Sequence, residues 1–212
     1  MRPSVLIADD HELFREGVRA LLMDALDASD VRQAASLDDA LDLLADGPAP
    51  DLLILDLHMP GVSGVESLGA LRDAFPGSKV VVMSASEDRG AIIAALHCGV
   101  HGYIPKSLSA AQIEAALRDV LSGRIYVPSV IGRRDGGLEP ERPMPPVTVE
   151  GLTTRQKDVL SELMKGQSSK EIARALGIAE GTVKIHLAAI YRSAGVRTRA
   201  EAIAKLSAQR GG

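Results

Sequence analysis

Tryptophan is absent, and the five aromatic side chains, Phe14, Phe75, Tyr103, Tyr126 and Tyr191, are too few to build an aromatic core or a stacking platform. The interior must therefore be aliphatic, and recognition of nucleobases by stacking is disfavoured. Cysteine is nearly absent as well. Cys98 stands alone, so no intrachain disulfide can form, and its apolar, helix-like surroundings suit a buried thiol with no chemical role. Long apolar runs are missing too. The opening MRPSVLIADD meets two acids after a short apolar stretch, and nowhere do about 18 apolar residues follow one another, so neither a signal peptide nor a membrane span is predicted. The expected location is the cytoplasm.

The chain has 212 residues, a comfortable length for two domains. Its net charge of −4 hides an asymmetry, −9 over residues 1–147 and +5 over residues 148–212. An acidic module joined to a nucleic-acid-facing one is the natural reading. Pro128, Pro140, Pro143, Pro145 and Pro146 mark the stretch between the modules as a partly stiffened linker. The predicted division is 1–123, a linker over 124–148, and 149–212.

In the first module short β-rich runs (5–8, 31–34, 51–56, 79–84 and 102–104) alternate with helical patterns. The latter are Leu13 to Leu26, Asp38 to Leu44 behind Ser36, Gly64 to Ala74, Glu87 to Cys98 behind Ser86, and Ala110 to Leu121 behind Ser109. Strands alternating with helices, the third and fourth strands apolar throughout, predict an α/β doubly wound, five-stranded parallel sheet. Ligands bind such sheets beyond the carboxyl ends of the strands, and the unusual residues fall there. Asp9 and Asp10 end the first strand, Asp56 the third and Ser84 the fourth, while Lys106 follows the fifth.

Taken singly, each has a plain explanation: an acid pair capping a helix, an aspartate opening a loop, a strand-end serine, a solvated lysine. Together they make a chemical set. Carboxylates in one crevice repel one another, and a hard divalent cation with oxygen ligands, Mg²⁺ above all, relieves them. The remaining carboxylate can attack phosphorus to give an aspartyl phosphate, with Lys106 and Ser84 answering the phosphoryl oxygens.

These residues carry a resemblance. VLIADDHELFREGV, DLLILDLHMPGVSG, VVMSA and GYIPKS are similar to the flavodoxin-like receiver domain of two-component response regulators, over roughly residues 3–122. The resemblance implies that Asp56 is the phosphoacceptor and that Asp9 and Asp10 hold Mg²⁺ with Asp56 and the backbone carbonyl of His58. It further implies that Ser84 is the hydroxyl switch, Lys106 the phosphoryl contact and Tyr103 the aromatic switch, turning into space that Ser84 vacates. The phosphodonor would be a sensor histidine kinase.

The second module holds three pairs at capping-box spacing, Thr153 with Gln156, Ser168 with Glu171 and Thr198 with Glu201, and glycines 166, 177 and 195 where helices should stop. Four short helices are predicted. Val183, Leu187, Ile190, Tyr191 and Ala194 form the apolar stripe of the third, which leaves Thr182, Lys184, Ile185, Ala188, Ala189 and Arg192 facing away. The second and third helices have helix-turn-helix proportions, though a plain helical bundle fits the pattern equally well. LTTR, KEIA, GTVKIH and GVRTRAEA resemble the DNA-binding domain of the NarL/LuxR type. That resemblance implies an all-α four-helix domain whose third helix enters the major groove of double-stranded promoter DNA, with a homodimer on the DNA. Lys184 and Ile185 would read bases, Thr182, His186 and Arg199 would meet phosphates, and Ala188 and Arg192 share the outward face. Ala179 departs from the family's common serine cap, and Ala188 offers only a methyl where a polar reader can stand.

The whole predicts a regulator of transcription controlled by phosphorylation, catalysing no reaction beyond its own phosphorylation and dephosphorylation. Two other classes fit the sequence less well. A metal-dependent aspartyl-phosphate phosphatase would want an acid two residues after Asp56, where His58 stands, and an adaptor that never meets DNA would not need so basic a third helix.

Overall fold

The computed structural model describes residues 2–131 and 152–210. Five parallel strands, β1 (Ser4–Ala8), β2 (Asp30–Ala34), β3 (Leu52–Leu55), β4 (Lys79–Ser84) and β5 (Gly102–Pro105), form one sheet in the order β2-β1-β3-β4-β5. Between and after them run α1 (Glu12–Ala25), α2 (Leu37–Ala45), α3 (Val65–Ala74), α4 (Arg89–His97) and α5 (Ala110–Leu121). Strand periodicity sends alternate side chains to opposite faces. Leu53, Leu55, Val80 and Val82 join a cluster with Leu41, Leu68 and Ile92 from α2, α3 and α4, whereas Leu52, Ile54, Val81 and Met83 pack with Leu22 and Leu117 from α1 and α5. A sheet covered on both faces explains why its central strands are apolar at every position.

Two elements differ from expectation. The fourth helix starts later than Glu87, because Asp88 rather than Ser86 caps it: the Asp88 carboxylate accepts from the amide of Ala91 at 2.8 Å, while Ser86 Oγ accepts from the amide of Asp88 and shapes the preceding turn. The start of the expected linker is also tied down. Tyr126 bridges to Gly102 of β5, donating its N–H to the His101 carbonyl at 3.1 Å and accepting from the Tyr103 N–H at 3.2 Å. Ile131 is buried in the same apolar cluster as Tyr103. The rest of that linker lies outside the described residues.

The second domain consists of α6 (Thr154–Met164), α7 (Ser169–Leu176), α8 (Glu180–Ala194) and α9 (Arg199–Arg210). Its core joins Val159, Leu163, Ile172 and Ala202 to Val183, Leu187 and Ile190, the stripe expected for the third helix. Thr153 with Gln156 and Ser168 with Glu171 are reciprocal capping boxes. Thr198 with Glu201 is not. The Glu201 amide reaches Thr198 Oγ1, but its carboxylate accepts from the N–H of Arg197 at 2.9 Å, one residue too early. Gly177 and Gly195 end their helices in the left-handed region, where a Cβ would be strained.

Ala179, the N-cap of α8, supplies no side-chain bond. Its backbone is extended, as a serine cap requires, so Ala179→Ser should stabilise the chain by about 0.5–2 kcal/mol, read as a higher urea midpoint at unchanged slope.

Candidate functional site

The register of the sheet assembles the first site. Ala8 pairs with Leu55, so the next residues, Asp9 and Asp56, stand side by side, and the Asp56 amide donates to the Ala8 carbonyl at 2.8 Å. Ser84 pairs with Pro105, and the Lys106 amide donates to the Ser84 carbonyl at 2.9 Å. Lys106 reaches back across the sheet edge. Its Nζ lies 2.6 Å from Asp9 Oδ2 and 3.0 Å from Asp56 Oδ2, and it stacks 4.8 Å from the centroid of Phe14.

Asp9 and Asp56 are both 2 % exposed, a setting in which a carboxylate needs compensating charge and donors. Besides Lys106, Asp9 Oδ1 accepts from the His11 amide at 2.9 Å and Asp56 Oδ1 from the His58 amide at 3.1 Å. Asp10 is more open and pairs with His11 Nδ1 at 2.8 Å. One ammonium among three carboxylates leaves the crevice acidic. Ligand atoms of Asp9, Asp10, His11 and Asp56 lie within 4.8 Å of one another, close enough to share one ion, and the carboxylate oxygens suit a hard divalent cation. His11 and Phe14 were not singled out in the sequence. Their only signal was position, one and four residues beyond the acid pair.

Ser84 is fully buried between these groups, its Oγ accepting from the Ser86 amide at 3.1 Å and lying 3.3 Å from His58 Nδ1. The Tyr103 ring is fully buried, with the hydroxyl donating to the Ser86 carbonyl at 2.7 Å.

The second site is covered. On α8 the face opposite the apolar stripe was expected to be presented outward, but Thr182, Ile185, His186 and Ala189 are buried because α8 packs on α2 and α3 of the first domain. Ile185 is fully buried and belongs to the first domain's apolar cluster, with Leu37 and Leu68, and Ala188 packs against that cluster too. Lys184 Nζ pairs with Asp38 at 2.8 Å, Arg197 stands 4.0 Å from Asp46, and Arg192 lies over the ring of Phe75 at 5.5 Å. Gln156 Nε2 donates to the Asp73 carbonyl at 3.4 Å. Arg199 is occupied within its own domain, donating to the carbonyl of Gln167.

Apolar contact holds this interface more than charge. Burial of an isoleucine contributes about 1.5–3 kcal/mol, an exposed ion pair such as Lys184–Asp38 about 0–1 kcal/mol. The backbones also meet: a Cβ on Gly181 would overlap the carbonyl oxygen of Gly61 and come to 3.2 Å from Leu37 Cδ2. Two buried side-chain atoms at this contact, Thr182 Oγ1 and His186 Nδ1, have no hydrogen-bond partner. Burial pulls the His186 pKa below its ordinary value; Asp73 pushes it up and Arg155 down, each less strongly.

Comparison with known proteins bears on both sites. The family model described as response regulator receiver domain matches residues 5–118, and the one described as bacterial regulatory proteins, luxR family, matches residues 150–206. The chain is 39% identical over 210 residues to the glycerol metabolism activator of Pseudomonas putida, covering 94% of this chain and 92% of that protein. It is 32% identical over 200 residues to the nitrate/nitrite response regulator protein NarL of Escherichia coli (strain K12), with the same coverages of 94% and 92%. A solved structure of the Salmonella typhimurium RcsB response regulator superposes with a TM-score of 0.58 at 20% identity, over 98% of this chain and 99% of that one, a likeness of fold.

Two measurements check the closed arrangement. Gly181→Ala costs nothing in helix propensity, so its effect should come from the clash with Gly61 alone: the domains should separate, read as a larger radius of gyration in solution scattering. For His186 the sign follows from its depressed pKa. The proton binds more readily when the domains are apart, so closure is unaffected well above the ring's ordinary pKa and weakens as pH falls through it, by at most tenfold per pH unit. Scattering between pH 8 and pH 5.5 should show that opening, and His186→Asn should flatten it.

Proposed function

Because the chain belongs to the two-component response regulators with a LuxR-type DNA-binding domain, we propose that Asp56 is its phosphoacceptor and that phosphorylation there frees α8 for DNA. The chain is a regulator of transcription, not a conventional enzyme. The proposed division is a receiver over 1–123, a linker over 124–148 and a DNA-binding domain over 149–212.

The observation that carries the phosphoacceptor assignment is the convergence of Asp56, Asp9 and Lys106 on one buried sheet edge. A sensor histidine kinase presents a phosphorylated imidazole. Asp56 attacks the phosphorus through a carboxylate oxygen, the P–N bond breaks, and the imidazole nitrogen leaves with the electron pair. Lys106 moves from pairing two carboxylates to pairing a phosphoryl oxygen, and Ser84 donates to another. Asp9, Asp10 and Asp56, with the His58 carbonyl, would hold Mg²⁺, which when bound neutralises charge on the transferring group. Attack of water on the phosphorus then breaks the P–O bond to Asp56, regenerates its carboxylate and releases inorganic phosphate, so the receiver is its own phosphatase. Tyr103 is the proposed aromatic switch, its buried ring held here by the bond from its hydroxyl to the Ser86 carbonyl.

Lys184, Ile185, Thr182 and His186 are the proposed DNA contacts of α8, with Ala188 and Arg192 on the same face. All of them lie against α2, α3 or the cluster they support, Arg192 through the ring of Phe75, so the closed form cannot seat this helix in a groove. Lys184 would exchange Asp38 for a base edge. Arg199 is a phosphate contact only if it releases Gln167. The open form would act as a homodimer on duplex promoter DNA in the cytoplasm; among the described residues no helix is long and apolar enough to cross a membrane.

Incubation with acetyl phosphate and Mg²⁺ should add one phosphoryl group to the wild-type chain and raise its affinity for a cognate duplex. Asp56→Asn should show neither change by intact mass and gel shift, and equal labelling of the variant would sink the assignment.

A further inference from the structure

Ser84 brings a hydroxyl to a place without solvent. The residue is fully buried, and a buried hydroxyl needs partners for both its lone pairs and its proton. The Ser86 amide donates to Ser84 Oγ at 3.1 Å, and that bond uses the oxygen. The proton has a different neighbour. His58 Nδ1 stands 3.3 Å from Ser84 Oγ, and a ring carrying its own proton on Nε2 accepts the Ser84 O–H there.

The chain delivers His58 to that position by a short route. Its amide is bonded to Asp56 Oδ1 at 3.1 Å, which fixes the backbone two residues beyond the phosphoacceptor. From there the ring turns back over the sheet edge, with Nδ1 closer to Ser84 than to Asp56 Oδ1, which is 3.7 Å away.

Building on the phosphoacceptor reading of Asp56, we propose that His58 is a positioning residue: it holds the Ser84 hydroxyl, so that a phosphoryl group on Asp56 must take Ser84 away from it. The exchange is favourable. A hydrogen bond to a charged phosphoryl oxygen is roughly twice as strong as one between neutral groups. It is less favourable than it would be without His58, because the bond to Nδ1 is lost. His58 therefore opposes the phosphorylated arrangement through Ser84 alone.

The test is binding of beryllium fluoride, with Mg²⁺, to the full chain by calorimetry. Because one neutral hydrogen bond contributes about 0.5–1.5 kcal/mol, His58→Leu should bind about two- to twelvefold more tightly than the wild type. His58→Asn, whose side-chain oxygen falls near the position of Nδ1, should restore wild-type affinity. His58→Gln, which mimics Nε2, should behave as the leucine variant. In a Ser84→Ala background, His58→Leu should change nothing. The same gain with and without the Ser84 hydroxyl would overturn the proposal while leaving Asp56 as the acceptor. Failure of the wild type to bind beryllium fluoride at all, or equal binding by Asp56→Asn, would overturn both readings together.

Discussion

Asp9 and Asp56 are held as buried carboxylates at the ends of adjacent strands, and Lys106 is the cation that makes this tolerable. Removing charge from water costs several kcal/mol per ion unless it is paired and hydrogen-bonded, so the ends of β1, β3 and β5 are mutually dependent. If Lys106 leaves, two acids face each other in a dry crevice. A third, Asp10, stands beside them. The cluster is thus tense, and a further cation or a phosphoryl group that engages Lys106 changes its balance. That sensitivity is what a phosphorylation switch requires, and it follows from strand register and parallel topology rather than from any flexible element.

One helix serves two surfaces. The stripe of α8 builds the core of the second domain, while its opposite face is completed by the first. The same lysine that could meet DNA is matched to Asp38, and Arg197 approaches Asp46, so acidic side chains of the receiver stand where an anionic backbone would otherwise be met. Opening therefore exchanges one negative surface for another and loses mainly the burial of Ile185 and its neighbours.

The sheet, its order of elements and the acid, serine and lysine positions were legible because they depend on local pattern: apolar runs of strand length, punctuation by turns, polar residues at strand ends. The helix stops were legible for the same reason, since a left-handed residue favours glycine wherever it occurs. Contacts between distant parts of the chain were not. Nothing local marks Gly181 as a point of backbone approach, although a glycine inside a helix is itself a hint. Ile185 read as outward because it lies off the apolar stripe of its helix, and as a base contact through the resemblance; what buries it is Leu37 and its surroundings, far away in sequence. Nothing in the strand that carries Tyr103 tells of the Ser86 carbonyl that accepts from its hydroxyl. Phe14 looks like an ordinary helix residue until the fold brings Lys106 over its ring, and His11 like an ordinary helix-start residue until its partners Asp9 and Asp10 are seen.

The bridge between Tyr126 and β5 has a consequence for tethering. It moves the point where the chain leaves the first domain from the end of α5 to Ile131, so residues 132–151 alone connect the two bodies. A connection of that length keeps the second domain near the first at an effective concentration of about millimolar order, whatever the amount of protein present. Closure is then a unimolecular event, indifferent to dilution, whereas the proposed pairing of two chains would be bimolecular and favoured by abundance. Changes in the amount of protein would therefore shift the balance between folding back and that pairing, even with every contact at the interface left as it is.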